Sequence, residues 1–161
     1  MLFALVSSAW KMIWFKYVSE FMSEKDFAQY LVEAWIRQDN PNQDVNVSRK
    51  EAISFFKKAK KHFLMSESEF KHYESLADEV TVWRGVSPGR EKFGLSWTDE
   101  KEKALWFKKR FERGEKKGYL LEATVPKRHI LAYIDGRGEK ELVINVFKIK
   151  DLIHKVGVEI N

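Results

Sequence analysis

The sequence predicts an α+β fold, and three observations predict it. Residues 1–78 carry apolar side chains at helical spacing, punctuated by serine-initiated caps. From residue 79 onward the pattern changes to short alternating runs rich in β-branched residues. A single amphipathic helical stretch interrupts those runs near residues 99–113. Helices first and strands afterwards is the α+β arrangement, not the regular alternation of a parallel α/β sheet. The 161 residues suit one compact domain, with a helical N-terminal segment 1–78 and a strand-rich core 79–161.

Each element has a local reason. "MLFALVSSAWKMIWFKYVSEF" opens the chain with ten uncharged residues before Lys11. That run is too short to span a bilayer and lacks a basic start, so it predicts an amphipathic helix, soluble or in contact with a membrane surface, and no stable membrane insertion. Ser23 precedes a helix whose apolar stripe is Phe27, Tyr30, Leu31, Ala34 and Trp35. "NPNQDVN" breaks the pattern at Pro41. Ser48 and Glu51 form a capping box for a helix over 49–63, with Ile53, Phe56 and Phe63 inward and Lys57, Lys58, Lys60 and Lys61 outward. Ser66 and Glu69 repeat the device. "EVTVWRG" predicts a strand ending at Arg84-Gly85, "SPGREKFG" a loop, and "LSWT" a short extended segment. A helix follows with Thr98 as N-cap, acids at 99, 100 and 102 near the positive end of its dipole, and Gly114 as its stop. "GYLLEATVP", "HILAYID" and "KELVINVFKI" predict three further strands. The last is apolar on both faces and therefore central.

Composition narrows the function. No cysteine is present, which excludes a disulfide framework, a thiolate zinc site and a cysteine nucleophile. It fits a reducing compartment, and a cytoplasmic location is expected. His62, His72, His129 and His154 show no metal-ligand spacing, so no metal cofactor is expected. No dinucleotide fingerprint is formed by Gly85, Gly89 and Gly94. The net charge of +5 is uneven. Residues 1–80 hold 11 Lys and Arg against 12 Asp and Glu, whereas residues 81–161 hold 18 against 12. A basic second half suits either a polyanionic partner or a plain solvated surface.

Three short pieces then stand out by their order. Arg84 ends the first strand, Ser96-Trp97-Thr98 forms the next extended piece, and "GEKELVI" places Glu139 and Glu141 at the start of a later strand. In a regular strand, residues two apart share a face, so the two carboxylates would stand side by side. Singly, these are a solvated arginine, a capping threonine beside a buried tryptophan, and edge-protecting charges. In this order they resemble the mono-ADP-ribosyltransferase family of the arginine–serine–glutamate type, over residues 79–147. Two features depart from that pattern. Trp97 stands where the family has a small residue, and only 11 residues separate Arg84 from Ser96. That compactness resembles small bacterial and phage-encoded members more than secreted toxins.

The resemblance implies a split, mixed and mostly antiparallel β-sheet core that binds NAD as a substrate. It implies that Glu141 supports the oxocarbenium charge that develops when the nicotinamide–ribose bond breaks, as in glycoside hydrolysis. Glu139 would position or deprotonate the acceptor. A glutamate at that place goes with arginine side chains as acceptors. Arg84 would meet the cofactor phosphates, Gly85 would let the backbone approach the nicotinamide, and Ser96 would orient Glu141. Thr98 has two readings, as helix cap or as support for the site. Arg90 and Phe93 are further candidate contacts.

The expected function is therefore transfer of ADP-ribose from NAD to a macromolecular acceptor inside a cell, a host cell if the chain is phage-encoded. A protein acceptor is favoured over nucleic acid. An NAD glycohydrolase of the same fold is the first alternative. A non-enzymatic nucleic-acid-binding protein is the second, using the basic half and the lysines of 57–61. "WFKKRF" is compatible with the latter, although Phe107 and Phe111, four apart, are expected in the buried stripe of a helix.

Overall fold

The computed structural model describes residues 2–157 and is of the α+β class. The chain forms two compact units, residues 1–70 and 71–161. This division falls within the sixth helix, a little before the change of pattern near residue 79.

The first unit is helical. Helices α1 (Leu2–Leu5) and α2 (Lys11–Val18) replace the single helix expected at the start. The break between them lets Lys11 fold inward. Its ammonium donates to the Phe3 carbonyl at 2.7 Å and lies 4.3 Å from the Phe3 ring, so a buried charge is paired. Helix α3 (Glu24–Arg37) starts at Ser23, whose hydroxyl accepts from Asp26 N–H. Its stripe buries Phe27, Leu31, Ala34 and Trp35 as expected. Gln38 then bridges to α2, accepting from Met12 N–H and donating to Ala9 O.

Helix α4 (Arg49–Lys58) opens with the expected Ser48–Glu51 capping box. It ends five residues earlier than expected, and a separate turn, α5 (Lys61–Leu64), follows. Ala59 and Leu64 are both buried, and an uninterrupted helix would not direct both inward, since five residues rotate the helix well past one turn. The lysines at 57, 58, 60 and 61 consequently do not form one helical face. Helix α6 (Glu67–Ser75) is capped by the Ser66–Glu69 pair.

The second unit holds two three-stranded sheets, every pairing antiparallel among the described residues. The strands are β1 (Glu79–Val86), β2 (Ser96–Trp97), β3 (Tyr119–Pro126), β4 (Ile130–Ile134), β5 (Glu141–Ile144) and β6 (His154–Val156). One sheet runs β1-β3-β6 and the other β2-β5-β4. They meet at an isolated bridge, in which Trp83 and Thr98 exchange main-chain hydrogen bonds of 2.8 and 2.9 Å. β5 is the central strand of its sheet, as its two-sided apolar run predicts. It is shorter than expected: residues after Ile144 coil into two 3₁₀ turns, Val146–Lys148 and Lys150–Leu152, that still bury Val146 and Ile149.

Helix α7 (Lys101–Lys109) packs on the face of β1 that carries Gly85. A Cβ at Gly85 would fall 1.8 Å from the Ala104 carbonyl oxygen. Only glycine admits this approach of helix to strand. The helix begins later than a Thr98 cap requires. The Thr98 carbonyl, which would accept the first helical N–H, is already bonded to Trp83 N–H. Thr98 instead accepts from Glu100 N–H through its hydroxyl at 3.1 Å.

Candidate functional site

Strand β2 lies against β5, with Ser96 opposite Val143 and Trp97 opposite Leu142. Opposed residues share a face, and so do residues two apart on one strand. Ser96, Val143 and Glu141 therefore share one face of this sheet. Trp97, Leu142 and Tyr133 share the other, where all three are buried. The Ser96 hydroxyl donates to Glu141 Oε2 at 2.8 Å, and Glu141 is only 9% exposed. A polar group this secluded needs such a donor. Trp97 points away from the site and donates its indole N–H to Gly94 O at 3.0 Å, which makes it a core residue.

Arg84 reaches the same place from the other sheet. Its side chain leaves the buried face of β1 and is 9% exposed. The guanidinium meets three main-chain oxygens of the segment that delivers β2. Nη1 donates to Ser96 O at 2.8 Å, Nη2 to Glu91 O at 2.7 Å and Nε to Lys92 O at 3.4 Å. Gly94 lies flat beneath it, and a Cβ there would fall 2.4 Å from Nη2. The forked donors expected at a pyrophosphate are thus engaged in shaping residues 91–96. Arg84, Ser96 and Glu141 form one connected group, in which the arginine holds the Ser96 backbone and the serine side chain holds the carboxylate.

Gly85 sits on the opposite face of β1, against α7. Its missing side chain has a packing reason that stands apart from any ligand. Thr98 is buried at the junction of the two sheets. Glu139 lies outside the strand, because β5 begins at Glu141. Lys140 between them has φ +48°, with its N–H donating to Asp135 Oδ1 at 3.2 Å. The extended pleat from which a shared face for Glu139 and Glu141 was expected is therefore absent. The turn of residues 135–140 sets the direction of Glu139.

Two titratable groupings escaped the sequence. His72 Nε2 lies 2.9 Å from Asp99 Oδ2, and its ring stacks on Tyr133 at 4.1 Å. Burial pushes the Tyr133 phenol up, and the charge of Asp135 adds to the effect. Trp83 donates to Glu122 at 2.7 Å, and Glu122 meets His154 at 3.1 Å along one row of the first sheet. Neither has a signal in linear spacing, because each joins elements far apart in the chain. Asp99 and Glu100, expected to serve the α7 dipole, instead hold His72 and Lys140. The His72 group lies on the Tyr133 face of its sheet, away from Glu141. Among the described residues no group of three or more potential ligands could hold a metal ion, and no helix is long and apolar enough to cross a membrane.

No protein-family model matches the chain, and neither a curated protein nor a solved structure does.

Proposed function

We propose that the protein is a mono-ADP-ribosyltransferase that cleaves NAD at the nicotinamide–ribose bond and passes ADP-ribose to a macromolecular acceptor. One observation carries this reading: the 2.8 Å hydrogen bond from Ser96 to the secluded Glu141, which joins residues 45 apart in the chain. The contact of Arg84 with the Ser96 carbonyl supports it, because the three residues named by the family resemblance converge. The two antiparallel sheets meeting at Trp83 and Thr98 fit the split core that such an enzyme needs.

In this reading Glu141 accepts a hydrogen bond from a ribose hydroxyl and faces the carbon that becomes electron-poor. Ser96 fixes the carboxylate, so little reorganisation is needed as charge develops. The C1′–N bond breaks, and its electron pair leaves on the nicotinamide nitrogen, which loses its positive charge. The acceptor atom bonds to C1′ and gives its proton to Glu139, which would reach it from the 135–140 turn and not from the strand face of Glu141. An arginine side chain is the acceptor class that a glutamate at 139 suits. Arg84 acts on the cofactor indirectly, through the loop it holds.

The test is nicotinamide release from NAD by the pure protein, with and without crude cell lysate, beside Glu141→Gln. Release that needs lysate, labels a macromolecule and vanishes in the variant is the expected result. Release without lysate would move the assignment to a glycohydrolase. No release under any condition would overturn the enzyme reading.

A further inference from the structure

A second surface of the 71–161 unit lies around the C-terminal end of α7. Residues 101–117 hold eight Lys and Arg against three Glu, a net +5 that equals the excess of the whole chain. Two of those charges have local employment. Lys108 pairs with Glu112 at 2.6 Å, and that carboxylate also accepts from Gly118 N–H, which ties the helix end to the start of β3. The remaining cations are arranged differently.

Trp106 is 55% exposed and Phe111 is 39% exposed, so the buried stripe expected for Phe111 is not formed. Cations sit over both rings. Arg110 lies 5.5 Å from the Trp106 centroid and 4.9 Å from that of Phe111. Lys103 lies 5.9 Å from Trp106. Arg90, from the separate segment between β1 and β2, lies 4.8 Å from Phe111. Two guanidinium groups from different parts of the chain therefore gather at one exposed ring. Like charges so placed repel, and a π-face offsets that only in part. An anion bridging them removes the repulsion.

From this arrangement we infer that α7 and the turn after it form a docking surface for single-stranded nucleic acid. Its phosphates draw Arg90, Arg110 and Lys103 off the rings they cover, and the faces of Trp106 and Phe111 so uncovered take its unstacked bases. The chemistry selects that partner over other polyanions. An acidic peptide would use the cations but has no flat face for two exposed aromatic rings. A duplex presents phosphates but keeps its bases stacked inside. Single strands satisfy both halves of the surface, since every base has a face that stacks on an aromatic side chain. The surface does not depend on the transferase reading and does not by itself identify the acceptor.

The experiment is fluorescence anisotropy of a labelled deoxythymidine oligomer of about 20 nucleotides, titrated with the full-length protein at several salt concentrations. The expected log–log salt slope is near −2, about −0.7 for each of three phosphates. Trp106→Ala should weaken binding about tenfold or more at an unchanged slope, because it removes stacking and no charge. Arg90→Gln should weaken binding and make the slope shallower by about 0.7. Circular dichroism of each variant should match that of the parent, since both side chains lie at the surface. The inference is overturned if polyglutamate or a duplex of equal length displaces the labelled strand as well as unlabelled single strand does. It is equally overturned if Trp106→Ala binds like the parent. None of these readouts involves NAD, so failure of the transferase assignment leaves them unaffected.

Discussion

Ser96 and Glu141 are joined by a hydrogen bond of 2.8 Å between two strands of one sheet, with the serine hydroxyl as donor and a nearly buried carboxylate as acceptor. Such a bond to a charged group is worth about 1.5–3 kcal/mol, and the cost of breaking it falls on the carboxylate left behind. In Ser96→Ala the strand pairing persists, because β2 is held by main-chain bonds. NAD cleavage is expected to fall about 10- to 100-fold, the rate equivalent of that energy, and folding stability by about 1–3 kcal/mol, because the buried carboxylate loses a donor. Steady-state nicotinamide release from both proteins makes the comparison. An unchanged rate would remove Ser96 from the catalytic arrangement.

Arg84 makes a different kind of contribution. Its guanidinium satisfies three carbonyl oxygens from Glu91 to Ser96, a geometry that a single ammonium cannot reproduce. Arg84→Lys is expected to leave buried acceptors unpaired and to destabilise the 71–161 unit by about 1–3 kcal/mol. Limited proteolysis should then cut within residues 87–95, where the parent resists, and the urea midpoint should fall. A variant with parental stability but lost NAD affinity would instead assign the guanidinium to the ligand.

Two glycines make the packing argument quantitative. Gly85→Ala would drive a methyl group into the Ala104 carbonyl, backbone against backbone, with no flexible neighbour to move aside. Overpacking of this kind costs about 1–3 kcal/mol and occasionally more. Gly136→Ala is the matched control, since nothing lies within 4 Å of its added Cβ. Urea unfolding should separate the two clearly, with the control within about 0.5 kcal/mol of the parent. Comparable stability of the two variants would mean that α7 does not press on β1 at Gly85.

The helical caps could be read from sequence because they are local: Ser23, Ser48 with Glu51, and Ser66 with Glu69 each satisfy N–H groups within four residues. The break after Lys58 could not, since neither proline nor glycine marks it and burial of Ala59 and Leu64 decides it. The run after Glu141 is apolar whether it continues as a strand or coils into 3₁₀ turns, so its length was hidden while its central position was not. The site divides in the same way. The order of Arg84, Ser96 and Glu141 is visible in the chain, and the alternation of strands puts Ser96 and Glu141 on one face. That Arg84 turns to main-chain oxygens depends on the path of residues 91–96, which no spacing encodes. A lysine at φ +48° before Glu141 is equally silent in sequence, and it removes the pleat on which a shared face for Glu139 depended.

The α7 terminus supplies a prediction in pH. Glu112 accepts from the Lys108 ammonium, the largest influence on it, and this holds its carboxyl below the usual range. Burial pushes in the opposite direction, and the Gly118 N–H restores part of the effect. A carboxyl in an unfolded chain titrates near about 4.3. Because the folded value is lower, the folded state binds fewer protons between the two values. The stabilisation is fully present above about pH 4.3 and is lost as pH falls through the folded value. The Gly118 amide proton reports this directly, since it bonds the same oxygen as Lys108 does. Its NMR shift should titrate with a midpoint below about 4.3, and Lys108→Met should move that midpoint upward. Glu112→Gln should abolish the titration and flatten the acid limb of the urea midpoint against pH. At neutral pH its cost should be only about 1 kcal/mol, as for a pair near the surface. A Gly118 midpoint at or above the unfolded value, unmoved by Lys108→Met, would show that the pair does not tie the helix end to β3.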